Sequence, residues 1–273
     1  MFDRKIVPAA VAATLLASAG ASQADDMVIV EGDSMPFAIS ANVTLTSDYR
    51  FRGISQSDES AAIQGGFDAE FAAGFYVGVW GSTVDFDLNE SVVYDNDGNP
   101  VLDAGGEVVT QGSGYDGSLE LDYYAGWSSD LGDSGLGIDV GVLYYDYPGD
   151  DNEEGDYLEF YGSMSWNDLA VGVAYSDDYY AETDEFWYFY ADYSLGLFDD
   201  FLSLDFHIGY NDLTKGFFAT DEDQYYDYSI GATVSQWGVD WAVAWVGTDL
   251  DDDDTWGYDW GDDTVVFSVT KSM

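Results

Sequence analysis

The chain has no cysteine, only four prolines, one histidine and just six basic residues among its 273. Without cysteine, neither a disulfide framework nor a lipoprotein anchor can form. The six Lys and Arg face 54 Asp and Glu, for a formal charge of −48. Nucleic acid is therefore not an expected partner, because phosphate binding needs basic patches. Beyond residue 24 no stretch approaches the ~20 consecutive apolar residues of a membrane-spanning helix. High acidity goes with disorder when hydrophobicity is low, yet here 47% of residues are apolar and 17% aromatic. That composition is globular or membrane-bound.

The opening "MFDRKIVPAAVAATLLASAGASQA" carries Arg4 and Lys5, an apolar core over 6–17, and small residues ending at Ala24. This layout predicts a secretory signal peptide cleaved near Ala24, with no twin arginine. Past it the basic residues are Arg50, Arg52, Lys215 and Lys271. The expected organisation is a signal peptide over 1–24, a short N-terminal periplasmic segment over 25–36, and one β-domain over 37–273.

The stretch "SANVTLTSDYRFRG" at 40–53 sets the pattern of that domain. Phe37, Ile39, Ala41, Val43, Leu45, Ser47, Tyr49 and Phe51 alternate with polar residues that end in Asp48, Arg50 and Arg52. Strict period-two alternation is the signature of a strand with one apolar face. Twelve such segments are expected, at 37–52, 61–72, 74–86, 115–128, 136–146, 157–166, 169–176, 185–195, 201–211, 225–236, 238–248 and 263–273. The short seventh segment and the 87–114 region, with its "SVVY" and "GEVVT", leave the count open by two. Helix signals are almost absent beyond the signal peptide, and Gly, Asp, Asn and Ser punctuate the chain instead.

The gaps sort by parity. Those at 53–60, 87–114, 147–156, 177–184, 212–224 and 249–262 are long and acidic. Those at residue 73, 129–135, 167–168, 196–200 and residue 237 are short. Long loops at one end and tight turns at the other describe an outer-membrane barrel. A soluble sandwich has no reason to sort its loops this way. Prolines agree: Pro36, Pro100 and Pro148 all fall outside the strands, as a closed sheet with every N–H paired requires. The faces agree too. Rows such as Leu136/Ile138/Val140/Val142/Tyr144 and Leu202/Leu204/Phe206/Ile208/Tyr210 put aliphatics mid-strand and an aromatic at one end, as interfacial girdles do. The opposite rows hold Asp116, Glu120, Asp122, Asp139, Glu159, Asp192, Asp205, Asp227 and Asp240. Carboxylates facing lipid would be costly, so these rows line a wet interior. The fold class expected is all-β, an antiparallel transmembrane β-barrel of outer-membrane type with about 12 strands.

The segment "ISANVTLTSDYRFRGISQSDESAAIQGGFDAEFAAGFYVGVWGSTVDF" at 39–86 resembles the opening of the TorF family of exported proteobacterial porins. The matching motifs are Ser-Asp-Tyr-x-Phe-Arg-Gly-x-Ser-Gln at 47–56, Gln-Gly-Gly at 64–66 and Gly-Phe-Tyr-x-Gly at 74–78. The closing "VVFSVTKSM" at 265–273 also resembles that family's last strand, except that the chain ends in Met273 where barrels usually end in an aromatic. The resemblance implies an outer-membrane channel and names no solute.

Candidate selectivity residues are Asp48, Arg50, Arg52, Asp116, Glu120, Asp122, Glu159 and Asp227. The two arginines, inside an acidic lumen, either form an eyelet with a transverse field or pair internally with Asp48, Asp116 or Glu120. The acidic runs at 150–154 and 251–254 either bind divalent cations or form a solvated, self-repelling surface; "DNDGN" at 95–99 reads as a turn. His207 sits beside Asp205 and Ser203 on one strand. Three alternating residues of one strand cannot assemble a catalytic triad, so no enzyme is expected. Inward glycines such as Gly78, Gly141, Gly172 and Gly209 read as room and bending in a curved sheet. The function expected is passive, cation-preferring diffusion of small solutes through the outer membrane, with no cofactor and membrane lipid around it. The alternatives are a non-conducting barrel whose acidic loops bind ions or a partner, and a soluble exported β-sandwich.

Overall fold

The computed structural model describes residues 28–30, 37–86, 91–92, 110–111, 117–149, 155–198, 201–214 and 217–273. Twelve strands form the wall: β1 (Phe37–Thr46), β2 (Ala62–Phe71), β3 (Phe75–Thr83), β4 (Leu119–Asp130), β5 (Leu136–Asp146) and β6 (Tyr157–Trp166). They continue with β7 (Leu169–Ser176), β8 (Phe186–Leu197), β9 (Leu202–Asp212), β10 (Gln224–Gln236), β11 (Val239–Thr248) and β12 (Thr264–Ser272). Each pairs antiparallel with its sequence neighbours, and β12 pairs back onto β1 through Ser268↔Thr46 to Ser272↔Asn42. The sheet is a closed barrel with the twelve expected strands.

Closure satisfies the backbone. Met273 exchanges two hydrogen bonds with Ala41, N–H to C=O at 2.8 and 3.0 Å, and so extends the β12–β1 seam by one residue pair. Beyond it the rest of that β1 edge is taken by Val28–Val30, which run antiparallel to Phe37–Ile39. Part of the expected N-terminal segment thus joins the sheet. The strands run from 8 to 13 residues, against the ~9–11 that a tilted strand needs to cross hydrocarbon.

The outer face is apolar. Val43, Leu45, Ile63, Phe67, Val77, Val140, Phe160, Val171, Ile208, Ile230, Val243, Val265 and Phe267 are all exposed on alternating strand positions. A belt of this extent around a closed sheet is incompatible with water and fits lipid. The short-turn rim carries Trp166, Phe198, Trp241 and Trp237, the last 83% exposed, as an interfacial aromatic girdle. Trp237 and Gly238 both adopt left-handed backbone, φ 59° and 74°, the conformation of a two-residue hairpin turn matched to strand twist.

One expected strand is shorter than its alternation. β1 ends at Thr46, not Arg52. Residues 47–61 instead fold inward as a small hairpin, Arg50–Phe51 pairing with Ile54–Ser55. Arg52 and Gly53 form its turn with φ 48° and 83°, again the doubly left-handed pattern. The polar–apolar rhythm continues through 47–52 because both wall and hairpin are extended chain. Period two says nothing about which sheet a residue joins. In the 87–114 region the described residues Ser91–Val92 and Thr110–Gln111 pair with each other outside the wall.

Candidate functional site

The inner face is built from tyrosines laid on glycines. Gly78 faces Tyr124 and Tyr76 faces Gly126 across β3–β4. Gly141 faces Tyr161 across β5–β6, and Gly172 faces Tyr190 across β7–β8. A Cβ at any of these four glycines would collide with the facing tyrosine ring. The missing side chain lets each ring lie against the wall rather than across the lumen. The expected role of these glycines as room is therefore specific: each makes space for one ring. The phenols are tied in place. Tyr76 donates to Asp139 at 2.6 Å and meets Tyr161 at 2.7 Å, and Tyr124 donates to Asp68.

Above this layer, toward the long-loop end, the hairpin crosses the lumen. Arg50 donates from Nε to Asp48 at 2.5 Å and from one amino group to Glu59 at 3.0 Å. Its other amino group reaches the carbonyls of Trp260 and Asp262 at 2.5 and 3.1 Å. Ser55 N–H donates to the Trp260 carbonyl at 2.9 Å, and the Trp260 indole donates to Asp58 at 3.0 Å. The first inter-strand loop is thereby locked to the last one. Asp48 is held in turn by Ser55 at 2.7 Å and Ser57 at 3.2 Å. Among these loop groups, burial and the nearby Asp259 raise the Glu59 carboxyl against the opposing pull of Arg50. Burial pushes the Tyr179 phenol up to about 12, with Arg52 opposing.

Arg52 reaches the far wall. One amino group bonds both oxygens of Glu159 on β6, at 2.7 and 3.0 Å. The guanidinium lies over the rings of Phe51, Phe186 and Tyr188 at 4.6, 4.5 and 4.4 Å, within cation–π range. Gly53 lies so close to Thr248 on β11 and Asp227 on β10 that a Cβ there would clash with Thr248. The tip therefore touches the β10–β11 side while its arginine pairs with the β6 side.

Seven of the eight expected selectivity residues converge on this layer. Asp48, Arg50, Arg52, Glu120, Asp122, Glu159 and Asp227 are all buried; Asp116 lies outside the described residues. The arginines are corrected in placement, since they stand on the inserted hairpin and not on the β1 wall. Of the expected partners, Asp48 pairs with Arg50, whereas Arg52 pairs with Glu159. Glu120 accepts from the Tyr49 hydroxyl at 2.8 Å and Glu159 also from Tyr145 at 3.2 Å. Glu59, Trp260, Phe186 and Tyr188 were not expected here. The one local signal was the Arg-Gly pair inside an alternating run, which suits a two-residue hairpin turn.

His207 bridges Asp192 on β8 and Asp227 on β10, through Nδ1 at 2.6 Å and Nε2 at 2.7 Å, with the Tyr188 hydroxyl 2.9 Å from Nε2. Asn211 donates to the second Asp227 oxygen at 2.8 Å. Asp205 instead accepts from Ser194 and Ser203 at 2.8 and 2.9 Å, so Ser203, Asp205 and His207 do not form a triad. In the 251–254 run, Asp254 accepts from Thr220 at 2.5 Å and from the Asp251 N–H at 3.0 Å. Among the described residues no group of three or more His, Asp and Glu is arranged to hold a metal. The runs at 150–154 and 95–99 lie essentially outside the described residues.

A closed twelve-stranded antiparallel sheet, apolar outside and charged inside, with long loops at one end and one loop folded into the lumen, is a transmembrane β-barrel of the outer-membrane type. The chain belongs to the family described as "Bacterial protein of unknown function (Gcw_chp)", whose model matches residues 30–273. No curated protein matches it. Among solved structures it is similar to the KdgM porin, at 10% identity and TM-score 0.46, over 85% of this chain and 97% of that one. The NanC porin gives 9% and 0.47 over 85% and 98%. The outer-membrane channel DcaP of Acinetobacter baumannii gives 10% and 0.41 over 90% and 100%.

Proposed function

We propose that this protein is an outer-membrane, porin-like channel for passive diffusion of small solutes, that it prefers cations, and that its first loop forms the constriction. The resemblance of 39–86 to TorF-family porins is consistent with this reading. The observation that carries it is the charge balance of the lumen. Glu120, Asp122, Asp139, Glu159, Asp227 and Asp240 are buried on the inner face. Against them stand Arg50, Arg52 and His207, each already paired with carboxylates. Fixed charge of one sign in a narrow, low-dielectric-walled passage admits counter-ions and repels like charge. Screening over the ~8 Å Debye length at physiological ionic strength weakens this little in so small a barrel.

The test is the reversal potential of the refolded protein in a planar bilayer across a salt gradient. The expected sign is that of cation preference. Replacing Asp139 and Asp240 by Asn should lower the cation-to-anion permeability ratio. An anion-selective wild type would overturn the field argument. A second reading, a non-conducting barrel, is favoured by the near-complete burial of Tyr49, Arg50, Phe51 and Arg52; absence of any conductance would select it.

The orientation proposed turns the long-loop end of the barrel, with the loops over 84–118, 147–156, 177–185, 213–223 and 249–263 and the base of the inserted hairpin, to the cell surface, as long loops are in outer-membrane barrels. Single cysteines at the exposed Ser60 or Trp256 should react with an impermeant maleimide on intact cells, and one at Ser134 should not. Equal labelling at both ends would refute the orientation. Export through a signal peptide ending near Ala24 belongs to the same reading.

A further inference from the structure

We propose that the β11–β12 loop, 249–263, is a strap that closes over the first-loop hairpin in acid and releases it as pH rises, with Trp260 as its positioning residue. This deepens, and rests on, the reading of the hairpin as the constriction of a channel. The hydrogen bonds that join the two loops meet the strap at Trp260 and Asp262. Arg50 donates to both their carbonyls, the Ser55 N–H donates to the Trp260 carbonyl, and the Trp260 indole donates to Asp58. That indole is buried and stacks on Tyr258, with ring centroids 4.1 Å apart and planes 6° from parallel.

The strap is a preformed arm. Within it the Gly257 N–H donates to the Asp252 carbonyl at 2.7 Å, and the Tyr258 N–H to the Thr255 carbonyl at 3.0 Å. At its feet the Thr248 hydroxyl holds the Gly261 carbonyl at 2.8 Å, and the Asp249 N–H donates to the Tyr226 carbonyl at 3.1 Å. A loop closed on its own bonds in this way swings on its feet as one piece.

Charge opposes closure. The strap carries eight carboxylates and no basic residue. Its Asp259 faces Glu59 on the hairpin, where Asp48 adds to the repulsion and Arg50 offsets it. Asp252, Asp259 and Asp263 act on Asp262, again with Arg50 opposing. The 217–223 segment meets the strap at Asp254 through the Ala219 N–H and the Thr220 hydroxyl, neither of which titrates at physiological pH. Burial first, and these carboxylates next, raise both the Glu59 and the Asp262 carboxyls. A carboxyl raised in the closed form binds its proton more tightly there, so acid favours closure and rising pH weakens it. The latch itself survives acid. On the strap it uses carbonyl oxygens and an indole N–H, which do not titrate, and Arg50 stays charged. The Arg50–Glu59 pair, which acid does break, lies within the hairpin and does not hold the strap.

In planar bilayers the open-to-closed ratio of the wild type should rise about tenfold from about pH 4 to about pH 7. Trp260→Phe keeps the carbonyl and an aromatic ring but loses the indole N–H, so its opening midpoint should lie at lower pH. The chain has no cysteine of its own, so Glu59→Cys with Asp259→Cys, both at exposed positions, can be bridged by a short bis-thiosulfonate. The bridged protein should stay in its lower conductance state at neutral pH and recover on reduction. A ratio that is constant or falls with rising pH, or opening that the bridge leaves unchanged, would overturn the proposal. The wild-type pH profile decides even if a variant misfolds. Amide exchange separates the strap from the channel: protection of the Ser55 N–H, corrected for intrinsic rate, should fall over the same pH range whether or not current flows. A conducting barrel with pH-independent Ser55 protection sinks the strap and spares the function, and a silent barrel whose Ser55 protection falls does the reverse.

Discussion

Replacing the hairpin tip 50–55 by a short glycine–serine link is expected to raise single-channel conductance several-fold. The tip is what crosses the lumen. Arg52 reaches Glu159 on one wall, while Gly53 is pressed against Thr248 and Asp227 on the other. Beneath it the Tyr124, Tyr76, Tyr161 and Tyr190 rings pack onto inner-face glycines of neighbouring strands, which keeps them off the axis. The wall does not depend on the tip, because its ladder closes through β12 and β1. The shortened protein should therefore keep the heat-modifiable migration of a folded barrel. Planar-bilayer recordings of both forms check the result. Unchanged conductance would show that the hairpin is not the narrowest point. Silence from both forms would mean that the aromatic layer itself closes the lumen.

Arg52→Ser is expected to destabilise the folded barrel by about 3–5 kcal/mol, the usual cost of removing one partner of a buried ion pair. Arg52 is 3% exposed and Glu159 1%, so water cannot replace the lost partner without opening the packing of Phe51, Phe186 and Tyr188. Arg52→Lys should recover only part of the loss, because a compact ammonium cannot both bridge the two Glu159 oxygens and stack on three rings. The double change Arg52→Ser with Glu159→Gln should recover more, since no charge is then left stranded. Urea midpoints of the detergent-refolded proteins give the ranking. A single Arg52→Ser as stable as wild type would show that the pair contributes nothing net. The same variant removes a positive charge from an acidic lumen, so its cation-to-anion permeability ratio should rise. Arg50→Ser should do more: besides Asp48 and Glu59, Arg50 holds the loop carbonyls of Trp260 and Asp262, so its loss should also free the hairpin from the last loop.

The twelve strands, their two faces and the parity of their connections could be read from the chain because each rests on a local rule. Side chains alternate every two residues along a strand, and lipid tolerates no carboxylate, so rows such as Val140/Val142/Tyr144 and Glu120/Asp122 declare their sides wherever they occur. The destination of Arg50 and Arg52 could not be read. An inserted hairpin alternates with the same period as the wall, and the one mark that separates the two is the Arg52–Gly53 pair at its turn. Which carboxylate each arginine meets depends on barrel closure: Glu159 lies 107 positions from Arg52, brought near only when six strands curl round. The tyrosine–glycine pairs are likewise properties of register. Gly141 and Tyr161 are ordinary strand residues until β5 and β6 align them face to face. Local periodicity determined the wall; the filling of the lumen was decided by contacts that exist only in the closed barrel.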